Sequence, residues 1–515
     1  MERNTLAPDA AEAAVPTSQP GLQADALGLR EVIMQAVSHI GPAAGTLTAL
    51  AFVSTLAGVA TPITIFFGGA VCLLVAIGLT QLARKIHGAG GYFTYIARTV
   101  GPRAGFITAW LYFLYDPFVT GALFSWGGGV IESAMKQRWG WGVPWWAFSI
   151  AGIGLVGFLS WRGVKISAKV LVFAGLAEIA IFVALGFTGL VDPGPGGVTL
   201  APFNPAEAPD FNAVYLGIVF TVLTFTGFES VAPLAEETRN PRRNLPIAII
   251  VSVLILMAYH AFTSWGILSG WGINDIETFG GSSAPVFEFA ERAWGELWFL
   301  VLLALLNSII AVCMATHNAA TRVFYAMGRV GVLPKPLGKV HPVNGTPVNA
   351  ILLQTAISTA TAIGLGIVLG AEENFFFVGI VLTLGLVVVY TMGNIGIFRL
   401  YWGKFRSEFN PLVHLVIPVI STAALIWVAY KTVENLHVTD PQEYLDWTPI
   451  VTIAWFVIGL ALLGFFRLRG HEGWLLHASE AVAVEEEHQH DAGIGIGAPP
   501  RDDEGEQINA PPHDI

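Results

Sequence analysis

Residues 38–46 read SHIGPAAGT and lie in the middle of an apolar run long enough to cross a membrane. Pro42 cannot donate a helical hydrogen bond, and its ring clashes with the preceding turn. Gly41 and Gly45 flank this region and remove the steric objection to an unwound backbone. Since backbone groups in the hydrocarbon region need partners, a break here is tolerated where the freed groups line a cavity or contact a ligand.

A second break lies five predicted spans later, where residues 225–230 read FTGFES and Pro233 follows. One break alone fits a kinked packing helix equally well, because glycine and proline are common in membrane helices. Breaks in the first and sixth spans are typical of two inverted five-helix repeats, helices 1–5 and 6–10, with a site at the bilayer midplane. Half-helix N-termini there present N–H groups to a carboxylate, and C-termini present carbonyls to an ammonium. A zwitterion such as an amino acid suits both ends.

The composition indicates a polytopic membrane protein. Of 515 residues, 54% are hydrophobic and 12% are charged, whereas a soluble domain has about 45–50% apolar and about 25% charged residues. The two cysteines both lie inside apolar runs, so we expect neither a disulfide nor a metal site. The net charge of −11, without a run of Lys and Arg, argues against a nucleic-acid partner.

Twelve apolar runs are predicted to be membrane-spanning helices. They cover residues 29–54, 62–84, 105–130, 145–160, 167–191, 212–236, 245–270, 296–328, 346–370, 374–400, 411–431 and 448–468. With the N-terminus inside and alternating loops, 22 of the 26 Lys and Arg residues fall on the inner side. The positive-inside rule expects this asymmetry. We therefore predict a multi-pass protein of the cell (inner or plasma) membrane with both termini in the cytoplasm.

The sequence divides into a twelve-helix domain at 29–470 and two tails, 1–28 and 471–515. Both tails have compositions typical of disorder. The second tail holds eleven acids and one base, Arg501, so it carries −10 of the net charge of −11. Residues 1–28 lack a charged segment followed by an apolar one, so we expect no cleavable signal peptide.

Several stretches of residues 29–470 resemble the amino acid–polyamine–organocation (APC) permeases, which share the inverted-repeat fold of the leucine transporter. The most specific likeness follows the second break. The stretches are the break at 41–45, GGYFTY at 90–95, GPR at 101–103, FTGFE at 225–229, ETRNPRRNLP at 237–246, NAATRVFYAMGR at 318–329, GVLP at 331–334 and GTP at 345–347.

The resemblance implies an all-α membrane protein of twelve transmembrane helices, in which helices 11 and 12 follow the two repeats and helices 1 and 6 are broken. It implies secondary active transport of amino acids or related amines by alternating access, coupled to a proton or, alternatively, to sodium. The acids are scattered over different spans without metal-ligand spacing, so we expect no enzyme, catalytic residue, cofactor or metal.

We expect the substrate to contact both breaks and the spans beside them. The candidate substrate-binding residues are Ile40, Gly41, Pro42, Ala43, Ala44, Gly45, Asp116, Phe225, Thr226, Gly227, Phe228 and Thr316. Asp116 follows WLYFLY at 110–115, and the resemblance places it in the pocket, where an acid favours a cargo with an extra amine. The alternative for Asp116 is an interhelical hydrogen bond near Pro117. Phe225 and Phe228 serve either as aromatic lids or in packing.

Glu178, Glu229 and His317 are the candidates for proton or ion coupling. A carboxylate in the membrane costs at least about 2.5–3.5 kcal/mol on insertion scales. The resemblance places Glu229 in a gating network, and the alternative is a cap for the freed N–H groups of the broken helix. Several proton-coupled relatives carry lysine where this chain has Glu178, so Glu178 either takes up a proton, binds a cation or bonds a neighbouring helix. His317 and His39 are either titrating groups or helix-to-helix hydrogen-bond partners.

Three other functions remain open at this point. The first is an exchanger of amino acids or polyamines that needs no ion. The second is a sensor that binds without net transport, and the third is an integral-membrane enzyme. The enzyme would need clustered polar residues, which the sequence does not show.

Overall fold

The first membrane-spanning segment is divided in two at Gly41. The computed structural model describes residues 22–282, 284–329, 331–436 and 443–468. Helix α1 (Leu29–Ile40) ends where α2 (Pro42–Ala57) begins. Gly41 between them has a φ of 73°, a left-handed conformation that favours glycine. Pro42 stands at the first position of α2, where its missing N–H breaks no helical bond. The predicted first break is confirmed.

Six further helices complete the first half of the chain. They are α3 (Thr61–Ala83), α4 (Tyr92–Thr99), α5 (Pro102–Tyr112), α6 (Asp116–Trp139), α7 (Trp145–Arg162) and α8 (Val164–Val191). The predicted third span is itself interrupted between α5 and α6, and Asp116 is the first residue of α6. Pro117 follows it and cannot donate the bond that would continue α5.

The predicted sixth span is broken as well. Helix α9 (Phe211–Phe225) ends at the break, and a 3₁₀ helix (Phe228–Glu237) carries the chain onward. Gly227 in between has a φ of 122°, which side-chain-bearing residues rarely adopt. The second predicted break is therefore confirmed, and its far half is a 3₁₀ helix that contains Pro233.

The remaining helices run from the second break to the end of the described chain. They are α10 (Pro241–Trp271), α11 (Ile276–Gly281), α12 (Pro285–Trp294), α13 (Phe299–Arg329), α14 (Val348–Thr359), α15 (Gly366–Leu369), α16 (Ala371–Gly403), α17 (Ile417–Glu434) and α18 (Trp447–Leu468). A π-helical turn (Ala360–Leu365) joins α14 to α15, and another (Leu412–Val416) precedes α17.

Packing brings the two breaks together at the centre of the bundle. Helix α1 contacts α8, α10 and α13, and it also contacts the 3₁₀ helix after the second break. Helix α2 lies against α9, and α6 lies against α13 and α16. At the closest approach, a Cβ added to Gly227 would lie 2.4 Å from His39 Cδ2. Only a glycine allows this contact between the breaks.

The described residues contain ten segments that are long and apolar enough to cross a membrane. The first of them (Leu29–Ala83) holds two of the twelve predicted spans, and α7 is an 18-residue helix that is not among the ten. The all-helical membrane fold is confirmed, whereas the count of twelve stays a prediction.

The predicted tail 471–515 and residues 1–21 of the predicted tail 1–28 lie outside the described residues. Residues 22–28 are described, and Leu27 pairs with the chain after the second break. Its N–H donates to the Glu237 carbonyl oxygen at 2.9 Å, and its own carbonyl accepts from the Arg239 N–H at 2.9 Å. The boundaries of the three predicted regions stay predictions.

Candidate functional site

A central cavity of about 210 Å³ lies where the two breaks meet. Its lining comes from α1, α2, α6, α9, α13, α16 and residues around the second break. The lining residues are His39, Ile40, Ala44, Gly45, Thr48, Phe52, Tyr115, Val119, Ala122, Leu123, Phe220, Leu223, Thr224, Thr226, Val312, Phe375, Phe376, Val378, Gly379, Ile380, Leu382 and Leu445. For comparison, an apolar cavity of about 150 Å³ suffices to bind benzene. The central cavity therefore has room for a small organic molecule.

The surface of the central cavity is mostly apolar and aromatic. Phe52 packs edge-on against Phe376 with ring centroids 4.9 Å apart, and it stacks on Phe220 at 5.6 Å. Among the described residues that line it, none is Asp, Glu, Lys or Arg. Its polar side chains are the hydroxyls of three threonines and Tyr115, together with the imidazole of His39. The cavity can thus hold an apolar body, with polar contacts confined to a few neutral groups.

Behind His39 lies a buried cluster of polar side chains. His39 Nε2 is 3.0 Å from Tyr115 Oη and 3.3 Å from Asp116 Oδ1. Tyr112 Oη donates to Asp116 Oδ2 at 3.0 Å. A neutral imidazole with its hydrogen on Nε2 faces two oxygens there and leaves Nδ1 as an acceptor. Among the described residues, His39 Nδ1 has no hydrogen-bond partner.

The N–H groups that the first break frees are already bonded within the protein. The Ala43 N–H donates to Glu178 Oε2 at 3.1 Å, and the Ala44 N–H donates to Ser308 Oγ at 3.1 Å. Glu178 is fully buried in α8 and does not line the central cavity. Its carboxylate therefore stands at the positive end of α2, where an anion is stabilised.

At the second break, an acidic side chain likewise accepts the freed N–H group. The Gly227 N–H donates to Glu229 Oε2, two residues onward, at 3.0 Å. Glu229 is 1% exposed and lies outside the central cavity. It lines a separate void of about 10 Å³ together with Tyr92 and Tyr112, which is about the space of one water molecule. Glu229 thus lies on the opposite side of the break from the central cavity.

The structure divides the predicted substrate-binding residues into three groups. Ile40, Ala44, Gly45 and Thr226 line the central cavity, and Gly41, Pro42, Ala43 and Gly227 form the breaks beside it. The others are buried behind its lining: Phe225 packs edge-on against His260, Phe228 stacks on Tyr390, and the Thr316 hydroxyl is 2.7 Å from that of Thr120. Asp116 does not line the cavity, and within the described chain it contacts the lining through His39.

The three predicted coupling residues are not brought together. Glu178 and Glu229 bond different breaks, whereas His317 Nε2 lies 3.3 Å from Thr355 Oγ1, at the contact between α13 and α14. His317 has no place in the central cavity. Its surroundings fit the helix-to-helix alternative that the sequence left open.

Several residues of the site were not among the sequence candidates. Tyr115, Phe52 and Phe376 line the cavity, and Ser308 bonds the first break. Tyr115 ends the aromatic run at 110–115, and this run pointed to Asp116 as a site residue but not to Tyr115 itself. No signal could single out Phe52 or Phe376 in a chain with 33 phenylalanines.

Two ion pairs join α13 to the 3₁₀ helix that follows the second break. Arg322 of α13 and Glu237 are both fully buried, with Nε donating to Oε2 at 2.8 Å and Nη2 to Oε1 at 3.2 Å. Nearby, Arg329 Nη2 donates to Glu236 Oε1 at 2.8 Å. Such bidentate pairs are geometrically specific. They tie α13 to the 3₁₀ helix that follows the second break.

Comparisons with known proteins identify what the chain is similar to. A family model described as amino acid permease matches residues 31–469. The low-affinity putrescine importer PlaP of Escherichia coli (strain K12) is 26% identical over 441 residues, which cover 82% of this chain and 91% of that protein.

Two other relatives carry different descriptions. The branched-chain amino acid permease BcaP of Lactococcus lactis subsp. cremoris (strain MG1363) is 24% identical over 414 residues, covering 75% of this chain and 83% of its own length. The methylthioribose transporter of Bacillus subtilis (strain 168) is 25% identical over 438 residues, covering 78% of this chain and 87% of its own length.

Proposed function

The chain belongs to the amino acid permease family, and from that premise we propose that it moves amino acids or related amines across the cell membrane by alternating access, driven by a proton gradient. The observation that carries the proposal is the central cavity between the two broken helices. A cavity at such breaks is the arrangement in which secondary transporters hold their substrates.

The asymmetry of the site supports alternating access. The central cavity extends from the breaks along α2 and α9 to Leu445. Beyond the second break, the Arg322–Glu237 pair joins α13 to the 3₁₀ helix and Leu27 bridges to Thr238, and we infer that these contacts close this side of the cavity. With the N-terminus in the cytoplasm, as the Lys and Arg distribution predicts, this is a state closed towards the cytoplasm. Transport then requires that the ion pairs separate as the other end closes.

Buried carboxyl groups support coupling to protons. Asp116, Glu178 and Glu229 are each at most 1% exposed, and no Lys or Arg forms a salt bridge with any of them among the described residues. An unpaired charge at this depth is expensive, and a bound proton removes that cost. Glu229 is the best placed, because it lies between the second break and the small void beneath it.

Uptake of radiolabelled substrates into proteoliposomes tests the proposal. We expect saturable uptake that rises when the outside is made acidic and does not respond to a sodium gradient. Uptake that needs only internal substrate would identify an exchanger, and uptake that follows sodium would replace the proton. Binding without flux would identify a sensor. If no amino acid or amine binds at all, the proposed function is wrong.

A further inference from the structure

We propose that the substrate is a cationic amine that lacks an α-carboxylate and carries an apolar body of aromatic or branched-chain size. This inference rests on the proposed transport function and goes beyond it. It comes from comparing the groups at the two breaks and in the central cavity that could bind a carboxylate with those that could bind an ammonium.

Three of the break N–H groups that could bind a substrate carboxylate, those of Ala43, Ala44 and Gly227, are already in use. At the first break, Glu178 and Ser308 accept the N–H groups of Ala43 and Ala44, and Pro42 has none to donate. At the second break, Glu229 accepts the N–H of Gly227. A carboxylate would have to displace Glu178, Ser308 or Glu229 to reach these three N–H groups, and a buried charge with few partners is strongly unfavourable.

No Lys or Arg side chain among the described lining residues replaces the occupied N–H groups as a partner for a carboxylate. The one buried Arg or Lys of the described chain is Arg322, and both of its bonds to a carboxylate go to Glu237. It lies beneath the breaks rather than in the cavity. Among the described lining residues, a substrate carboxylate would therefore meet a mostly apolar surface with a few neutral polar groups and no Lys or Arg as a counter-charge.

The surroundings of the cavity instead favour a cation. Asp116 contacts His39, Glu178 contacts Ala43 and Glu229 contacts Gly227, so an acid lies behind the lining at each break. Helices α1 and α9 both end beside the cavity, and the C-terminal end of a helix carries the negative end of its dipole. The helix C-termini attract an ammonium and repel a carboxylate, and each of the three acids does the same whenever it has released its proton.

The lining adds contacts for the rest of the molecule. Phe52, Phe220, Phe376 and Tyr115 present aromatic rings, which attract cations through their faces and bury apolar groups. Since His39 Nδ1 has no partner among the described residues, it can accept a hydrogen bond from the ammonium. The volume of about 210 Å³ limits the body to one ring or one branched chain.

Matched pairs of amines and their parent amino acids test the inference. The pairs are phenethylamine with phenylalanine, isopentylamine with leucine, and putrescine with ornithine, each measured as uptake and as competition in proteoliposomes. We expect the first two amines to be preferred over their amino acids by at least about tenfold, the equivalent of one unmet charged group.

Each outcome separates this inference from the proposed function. Equal or better transport of phenylalanine or leucine overturns the inference and leaves the transport function intact. If putrescine alone is transported, the inferred apolar body of the substrate is wrong. If none of the six compounds binds or moves, the inference is wrong, and the proposed function fails as well only if a full panel of amino acids and amines gives the same result.

The variant Glu178→Ala gives an independent test, because it frees the Ala43 N–H. We expect the preference for phenethylamine over phenylalanine to fall several-fold towards unity. Glu178→Gln keeps an acceptor for that N–H, so it should retain more of the preference. If Glu178→Ala does not fold, Ser308→Ala frees the Ala44 N–H and gives the same readout. An unchanged preference in a folded variant with a freed N–H overturns the inference.

Discussion

Glu229, like Glu178, is a buried carboxyl group that also accepts an N–H group of a helix break. Its Oε2 accepts the Gly227 N–H at 3.0 Å and so completes the broken backbone, while the carboxyl remains buried without a basic partner among the described residues. Structural and coupling roles are therefore compatible at this position. They can be separated by a substitution that keeps the acceptor and removes the exchangeable proton.

We expect Glu229→Gln to lose uptake driven by a pH gradient while the protein stays folded. The glutamine carbonyl can still accept the Gly227 N–H, but the amide cannot take up a proton. The measurement is uptake in proteoliposomes with the outside acidified. Glu296→Gln, at a side chain that is 89% exposed, is the control. Gradient-driven uptake at the wild-type rate would remove Glu229 from the coupling mechanism.

Gly227 predicts a second single-residue effect. Its φ of 122° costs a side-chain-bearing residue about 1–3 kcal/mol, and an added Cβ would lie 2.4 Å from His39 Cδ2. We expect Gly227→Ala to lower the melting temperature in detergent and to abolish transport. Gly364→Ala, where a Cβ meets nothing within 4 Å, should change neither. A wild-type melting temperature for Gly227→Ala would show that the two breaks are not in close contact.

At the scale of elements, the sequence predicts the breaks better than it predicts what faces the cavity. Pro42 and Gly227 act on the local backbone, so Ile40, Ala44, Gly45 and Thr226 could be expected at the site. The sequence could not show whether the Asp116 side chain faces the cavity, because a helix that is apolar all round gives no periodic signal of its inner face. The rings of α16 come from a segment more than 300 residues after the first break, and only tertiary packing brings them there.

The buried ion pair between Arg322 of α13 and Glu237 of the 3₁₀ helix predicts a large loss of stability when one partner is removed. Removing one partner of a buried ion pair leaves a charge without compensation, at a cost of about 3–5 kcal/mol. We therefore expect Arg322→Ala to lower the melting temperature strongly, since Glu237 stays fully buried. The control is Arg138→Ala, at a pair where Arg138 is 41% and Glu296 is 89% exposed, with an expected cost of about 0–1 kcal/mol. Equal shifts in the two variants would contradict the assigned role of Arg322.

At the scale of the whole molecule, the predicted orientation follows from charge alone. Cys72 and Cys313, the two native cysteines, are buried, so a maleimide that does not cross membranes has little background. The loop between α6 and α7 contains Trp141, which is 62% exposed, and the loop before α14 contains Val343, which is 81% exposed. These loops lie on opposite sides in the predicted topology.

In intact cells, we expect Trp141→Cys to react with the impermeant maleimide and Val343→Cys to react only after the membrane is permeabilised. The Lys and Arg distribution is the physical reason, because loops with many basic residues stay in the cytoplasm. Labelling of Val343→Cys but not of Trp141→Cys in intact cells would invert the orientation, and labelling of both variants would change the number of spans between them. The count matters because α7, which lies between them, is not among the ten apolar segments.

Glu178 and Ser308 bond the first break without lining the cavity, whereas Val119, Leu223 and Gly379 line it without touching the break N–H groups. Selection by charge and selection by shape thus belong to separate sets of side chains. A protein engineer can therefore enlarge or reduce the acceptable molecule without altering which ionic form enters.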